Sequence, residues 1–424
     1  MPHPPSRTYH DPLHGSITLT NQDPVESLLI QLVDTPEFQR LRRIRQLGTA
    51  SLTFHGAEGS RFTHSLGVMH VARLAFDQLM QTYPQLQPYR ALVLCGALLH
   101  DIGHGPFSHT GEDIFHSHHE TWTRTILRES DQIRPLLDAF DSALAGQLEQ
   151  AYLKTFELPI VSQLVSSQLD CDRIDYLLRD SYFTGASYGQ LDLDRILMAL
   201  DYDPATQQLV VAHKGQAAIE HYLVVRYFMY AQIYNHPKNL ASAWGLIQAF
   251  RRAKELLLAD QIDADPTVRA WLINGGAKVS LPHYLAADDI VFTYHLQRWQ
   301  SSDDPILRDL CQRYLNRDLL KAMDISDLTE QQQQDLLSQS YKLLQSRGKE
   351  PSFYTGLQVA LTRGYTLYQR GINLRSGKNL VEISEVSPLV QALIQPFRRT
   401  WIIYPVAIEA ALTQTPALQQ YLQQ

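Results

Sequence analysis

Four side chains lie far apart along the chain yet share one kind of chemistry: His64 in RFTHSLG, the adjacent His100 and Asp101 in LLHDIGHGPFSH, and Asp172 in LDCDRIDYLLRD. Two imidazoles and two carboxylates are enough donors to hold a divalent ion with coordination positions left for water and substrate. A metal-assisted hydrolase is the function such a set favours. An isolated His-Asp pair would carry little weight, because most cap helices or sit on surfaces. The surroundings change that, since the stretch from His64 to His119 also carries His104, His109 and His118, in a chain with 17 histidines overall. His70, His116 and His118 have no chemical role assigned and read as surface or packing residues.

Two further segments repeat a four-residue step. In LDCDRIDYLLRD, Asp172, Tyr176 and Asp180 fall on one helical stripe that mixes a candidate ligand, an aromatic face and a hydrogen-bond acceptor. The plainer reading is a helix with ordinary ion pairs, since Arg173 and Arg179 lie nearby. In AIEHYLVVRYFMYAQIYNHP, Arg226, Tyr230 and Tyr234 share a stripe. Core packing explains the tyrosines but not the arginine, whereas a cationic fork beside flat apolar faces suits a phosphate next to a sugar.

The elements that must position these groups are mostly helical. From Asp34 to about Leu258, apolar residues recur at three- and four-residue intervals in FQRLRRIRQL, SLGVMHVARLAFDQLM and YRALVLCGALL. The segment PYRALVLCGALLHDIGHG reads as a buried helix stopped by a left-handed Gly103, which puts His100 and Asp101 in its last turn. Strand signals are brief: ITLT at 17–20, and LVVAH at 209–213, which the turn-rich DYDPATQQ makes one arm of a small hairpin. After about Pro282 the pattern becomes α+β, with a helix around EQQQQDLL and strands over YTLYQRGINL and NLVEISEV separated by RSGK.

Composition narrows the function classes. The chain has 424 residues, 19% of them charged, with a net charge of -7, and this acidic balance argues against general nucleic-acid binding. RLRRIRQLG (40–48) is a local basic run that reads as a solvated helix face. Cys95, Cys171 and Cys311 are too few and scattered for a disulfide framework or a cysteine zinc site, and read as small core residues. The N-terminus has no apolar stretch of signal type, and the longest apolar runs fall far short of the ~20 residues a membrane helix needs. A soluble, cytoplasmic protein without membrane partners is expected.

Taken in order, DPLHG, DTPEFQRLRRIRQLG, RFTHSLG, HDIGHGPFSH, HHE, DCDRIDYLLRD and RYFMYAQIYNHP resemble the HD superfamily of metal-dependent phosphohydrolases, and more narrowly its deoxynucleoside triphosphate triphosphohydrolases. The match spans roughly residues 7 to 240, with weaker similarity in ISEVSPLV. The resemblance implies a mainly α fold, with a helical HD core and short β-hairpins in 1–281 and a smaller α+β region in 282–424. It implies that His64, His100, Asp101 and Asp172 bind one divalent transition metal such as Mn, Fe or Zn, with Mg accompanying the substrate phosphates. Arg61 and His104 would contact the α-phosphate. His109, backed by Glu112, would protonate the departing 5′ oxygen, and His119 completes that wall. Arg173, where vertebrate members have lysine, and Arg226 would hold the outer phosphates. Gln46 and Asp180 would bond the 3′-hydroxyl, while Leu47, Tyr176 and Tyr234, with Tyr230 beside them, crowd the 2′ position and exclude ribonucleotides. The products would be deoxynucleoside and intact triphosphate. Asp34, Gln39 and Arg42 match a guanine-nucleotide regulatory site, near which His10 replaces an asparagine, and the resemblance implies a homo-oligomer, dimer or tetramer.

Two alternatives stand beside this reading. One keeps the metal but makes the protein a nucleotide monophosphatase or phosphodiesterase. Three arginines exceed what a monophosphatase needs, and a cyclic-dinucleotide phosphodiesterase would carry a GYP signature that HDIGHGP lacks. The other is a nucleotide-sensing or nucleic-acid-binding module, permitted by the 40–45 arginines and disfavoured by the overall acidity.

Overall fold

The computed structural model describes residues 6–414, apart from 363, 368–370 and 378, together with residue 418. The molecule is mainly α-helical, as its periodicity requires. Three helices carry the site. The first, Arg61–Thr82, starts behind Ser60, whose hydroxyl accepts the Thr63 N–H and so satisfies one of the donors a helix start leaves free. The second, Arg90–Leu99, is apolar all round, with residues 91–99 buried, and therefore runs through the middle of the molecule. The third, Cys171–Thr184, is capped by the Asp170 carboxylate and closes on Gly185, whose φ of +74° is open to glycine at little cost. Helix Arg61–Thr82 packs against both of the others.

Two apolar cores divide the interior. One gathers residues from Ile17 to Ile233 and takes back Tyr365, Ile372, Leu374, Ile383 and Val390 from the end of the chain. The other joins Phe107, Phe115 and Trp122 to residues between Ala241 and Leu418. The returning segment explains this interleaving. Strands Asn373–Ser376 and Asn379–Glu382 extend the hairpin of Leu200–Asp203 and Gln208–Ala212, with Val211 paired in parallel to Leu374. A separate antiparallel sheet is ordered Lys321–Asp324, Phe397–Tyr404, Gly356–Thr362.

The hairpin around DYDPATQQ and the Gln-rich helix, Glu330–Gln345, form where the sequence places them. Three expectations need correction. The central helix stops at Leu99 with His100 as its cap, and Gly103 does not take a left-handed conformation. Its glycine is needed for close approach instead, since a Cβ there would lie 2.2 Å from the His119 carbonyl and the Thr123 nitrogen. Arg40–Arg45 is not one solvated helix face, although Arg42 and Arg43 are exposed. The α-helix ends at Arg40, a single 3-10 turn follows, and Arg40 is buried, donating to the carbonyls of Ala287, Ile102 and His104 at 2.8–3.0 Å. A guanidinium with five donors can satisfy several inward-facing carbonyls at once, so this arginine braces the HDIGH loop. Finally, YTLYQRGINL is extended into a strand only from Asn373, its residues 368–370 lie outside the described ones, and ISEV turns helical after the strand that ends at Glu382.

Candidate metal centre and adjoining cavity

The four donors predicted from the sequence converge. His64 is fully buried, with Nδ1 2.7 Å from Asp175 Oδ2 and Nε2 3.1 Å from Asp172 Oδ1 and 3.6 Å from Asp101 Oδ2. His100 donates from Nδ1 to the Ala97 carbonyl at 2.8 Å, and its Nε2 stands 3.4 Å from Asp101 Oδ1 and 3.5 Å from Asp172 Oδ1. Among the described residues that buried Nε2 has no hydrogen-bond partner. Each ring thus commits one nitrogen to an anchor and turns the other toward two carboxylates, the usual way metal-ligating histidines are oriented.

Electrostatics at the centre favour a cation. Burial alone depresses the His64 imidazole, but Asp172, Asp175 and Asp101 outweigh it and push it up to about 10. Burial likewise opposes ionisation of Asp172, yet His100 and His64 hold its carboxyl far below the usual range. A buried nitrogen without a partner, facing two carboxylates in a pocket that draws positive charge, fits a divalent ion of the Mn, Fe or Zn kind. His64, His100, Asp101 and Asp172 are the residues that would hold it.

The arginines flanking the Asp172 stripe do not neutralise it. Arg179 pairs with Asp175 through Nε at 2.8 Å and with Asp11 at 2.8 Å, while Arg173 Nε sits 3.3 Å from Asp170 Oδ2. Ordinary ion pairs are thus present on this helix, at Asp170 and Asp175, but among the described residues no arginine pairs with Asp172 or Asp180. The Asp180 carboxylate accepts the Tyr234 hydroxyl at 2.8 Å, and burial pushes it up to about 7.

A second histidine group adjoins the first. His104 is buried and stacks on His119 at 3.9 Å, with 11° between the rings. Glu112 joins the other two imidazoles, Oε2 to His109 Nδ1 at 2.7 Å and Oε1 to His119 Nδ1 at 2.8 Å. Burial opposes its ionisation, but these two bonds hold the Glu112 carboxyl well below its ordinary range. The His109 side chain is 71% exposed, which leaves its Nε2 side open to a ligand. Asp101 links the two groups, its Oδ1 standing 3.3 Å from His104 Nε2, and Arg61 bonds Asp101 through Nη1 and Ser108 Oγ through Nε at 2.8 Å.

Beside this apparatus opens a cavity of about 400 Å³ lined by Gln46, Leu47, Arg61, His109, Tyr176, Asp180, Tyr230 and Tyr234 among others. Eight of the residues singled out from the sequence thus share one chamber. Tyr230–Tyr234 is not an ordinary continuation of helix Gln216–Met229 but a π-helical turn, a feature frequent at functional sites. His104, Arg173 and Arg226 are not on the chamber wall. Arg226 is buried and bonds Gln168 Oε1 at 2.8 Å, while Arg173 donates to the Ser167 carbonyl at 2.7 Å. Asp34, Gln39 and Arg42 do not line the chamber. Asp34 pairs with Arg7, and Gln39 accepts from Arg42 Nε at 2.7 Å, the Arg42 guanidinium lying 3.5 Å from the Phe62 ring centre.

Sequence reasoning missed several supporting residues. Asp175 orients His64 and also meets His14 Nε2 at 2.6 Å; its place three residues beyond Asp172 was the available signal, as was the DPLHG motif for His14. Phe107 and Ser108 both sit at positive φ, 61° and 54°, in the sparsely populated left-handed region. They are held there by Asp289, which accepts the N–H of Phe107 at 2.7 Å and of Arg45 at 2.9 Å, and by the Ser108 hydroxyl on the Arg45 carbonyl at 2.6 Å. No local pattern announces contacts across 180 residues.

Comparison with known proteins agrees with this geometry. The HD domain family matches residues 61–180, which hold all four donors. The chain is 35% identical to the uncharacterized protein YwfO of Bacillus subtilis over 99% of its own length and 96% of that protein's. It is 32% identical to the human deoxynucleoside triphosphate triphosphohydrolase SAMHD1 over 42% of its own length and 33% of that protein's. A phosphohydrolase structure from Bacteroides thetaiotaomicron superposes with a TM-score of 0.83 at 28% identity, covering 94% of this chain and 99% of that one. Among the described residues, no helix is long and apolar enough to cross a membrane. With its four convergent donors, helical core and full-length relatives, the chain belongs to the HD-domain phosphohydrolase family.

Proposed function

We propose that the protein hydrolyses deoxynucleoside triphosphates to deoxynucleoside and triphosphate. The observation that carries this reading is the continuity between the four-donor centre and the chamber beside it, joined by Arg61. A divalent ion at the centre supplies Lewis-acid activation of water and screening of the charge on phosphoryl oxygens. Around it, Arg61 and His104 meet the α-phosphate, and Arg173 and Arg226 serve the outer phosphates. Fixed cations of this kind stabilise spread phosphoryl charge without covalent chemistry.

Water adds to the α-phosphorus, the bond from that phosphorus to the 5′ oxygen breaks, and His109 Nε2–H protonates the leaving oxygen while Glu112 holds Nδ1. His119, on the same glutamate, completes that wall. Gln46 and Asp180 bond the sugar 3′-hydroxyl. Leu47, Tyr176, Tyr230 and Tyr234 close the space a 2′-hydroxyl would need. The proposal extends to a guanine-nucleotide activator held by Asp34, Gln39 and Arg42 and to assembly as a dimer or tetramer.

The test is a product assay on metal-analysed protein with the four deoxynucleotides and the matching ribonucleotides, with and without GTP. Tripolyphosphate from deoxynucleotides, with little from ribonucleotides, is the expected result. Release of only pyrophosphate or orthophosphate, or faster turnover of monophosphates, would replace this reading with a monophosphatase or phosphodiesterase.

A further inference from the structure

The four-donor centre and the His109 helix rest on different cores. Leu66, Leu99, Ile102, Cys171 and Ile174, which flank the four donors along the chain, pack in the first core. Helix Ser108–Phe115, which carries His109 and Glu112, is seated on the second, with Phe107 just before it and Phe115 at its end packing on Phe250 and Phe292. Apolar packing is non-directional, so the distance from ion to acid has to be fixed by directional bonds across this junction.

Asp289 makes such bonds. It opens helix Asp289–Trp299, outside the stretch that the HD domain matches, and is 3% exposed. Its neighbour Asp288 caps that helix by accepting the Ile290 and Val291 N–H groups. Asp289 serves two other segments: Oδ1 accepts the Phe107 N–H at 2.7 Å and Oδ2 the Arg45 N–H at 2.9 Å. Arg45 follows Ile44 of the first core and Phe107 belongs to the second, so one buried carboxylate grips both. The Arg45 carbonyl in turn accepts the Ser108 hydroxyl at 2.6 Å, which ties the first residue of the His109 helix to the same point. At the Phe107 carbonyl a Cβ on Gly48 would come within 2.7 Å, so the glycine lets the two backbones close there. Left-handed backbone at two successive non-glycine residues, Phe107 and Ser108, persists only where the surroundings over-determine it.

We propose that Asp289 is a positioning residue: its two backbone bonds register the His109 helix against the four-donor centre, so that a residue of the C-terminal region sets the geometry of proton donation. Asp289 is not on the chamber wall and acts through His109. A displacement of about 1 Å in a reacting group can cost on the order of 100-fold in rate, so a clamp of this kind has a kinetic signature. The inference rests on the reading of His109 as the general acid, and its test separates the two.

Turnover of whichever of the four deoxynucleoside triphosphates is hydrolysed fastest is measured on metal-loaded wild-type protein, Asp289→Asn, His109→Ala and the double variant. Metal content and melting temperature are recorded for each. Asparagine keeps the shape but turns an amide N–H toward one of the two backbone donors. The expected result is a kcat about 10- to 100-fold lower in Asp289→Asn, with KM within about 3-fold and bound metal unchanged. The same change made in His109→Ala should cost less than about 3-fold more, because the group it positions is already gone. A merely structural role costs the same factor in both backgrounds, and that result, or an unaltered kcat in Asp289→Asn, overturns the inference. If Asp289→Asn does not fold, Ser108→Ala, which removes the hydroxyl bond to the Arg45 carbonyl, takes its place in the cycle and is judged by the same coupling. A wild type that hydrolyses none of the four, or a His109→Ala variant that matches it, overturns the general-acid reading and this inference together. A slow His109→Ala variant without coupling to Asp289 leaves that reading standing and removes the clamp alone.

Discussion

Two histidine groups meet at Asp101, and they are built to opposite plans. In the His64–His100 group each ring is anchored by one nitrogen, to Asp175 or to the Ala97 carbonyl, and the other nitrogens face shared carboxylates in the buried interior. In the His104–His109–His119 group two rings stack at 3.9 Å, and one nitrogen from each of the three lies within 4.8 Å of the others. A single glutamate ties two of those rings, and the outermost is largely exposed. On the proposed reading the same residue type makes an ion-holding centre in one place and a proton-handling wall in the other. What distinguishes them is burial and the partners that anchor the rings, not composition.

The largest expected effect comes from breaking the first group. Asp101→Ala or His64→Ala should lower triphosphate release by more than about 1000-fold, since both the ion and the oriented water depend on them. Retained activity within about 10-fold, measured on folded protein, would mean that the two groups do not divide the work this way. Removing the proton donor of the second group comes next: His109→Ala should cost roughly 100- to 10,000-fold in kcat while metal content stays at the wild-type level. Loss of metal in that variant would erase the distinction between the groups.

Asp175→Asn sharpens the comparison from behind the ligands. It keeps the shape but weakens the grip on His64 Nδ1, and outer partners of this kind are worth about 10- to 100-fold in metal affinity. Competition with a chelator reads this directly, and an unaltered affinity would show that His64 needs no such support.

A smaller effect separates two carboxylates on one helix. Imidazoles keep Asp172 ionised, while burial among tyrosines pushes Asp180 up to about 7 from 3.8. The folded state then holds the Asp180 proton more tightly than the unfolded chain. This group's stabilising share is full below about pH 4 and disappears as pH rises through 7. Asp180→Asn should therefore gain on the wild type by roughly 2–6 °C in melting temperature between pH 4.5 and 8. A difference that stays flat across that range contradicts the assignment.

The sequence exposed the site to different depths. The four donors were legible because ligand chemistry restricts residue type, and the Tyr176–Asp180 and Arg226–Tyr234 stripes because helical spacing groups them. Arg40 was misread since a basic run gives no sign of which arginine turns inward; only the carbonyls of Ala287, Ile102 and His104 decide that. Gly103 was misread for a related reason: a cap and a close helix approach both demand glycine, and only the neighbouring His119 backbone distinguishes them. Gln358 also lines the chamber, from a strand more than a hundred residues past the other lining residues, which no local pattern encodes.

The central claim is that His64, His100, Asp101 and Asp172 hold one catalytic cation. Elemental analysis of purified wild-type protein and of Asp172→Ala, each paired with its rate of triphosphate release, tests this most directly. One divalent ion per wild-type chain, with ion and activity both lost in the variant, is the predicted result. A wild-type protein that turns over substrate with no bound ion, or a variant that keeps both, would contradict it.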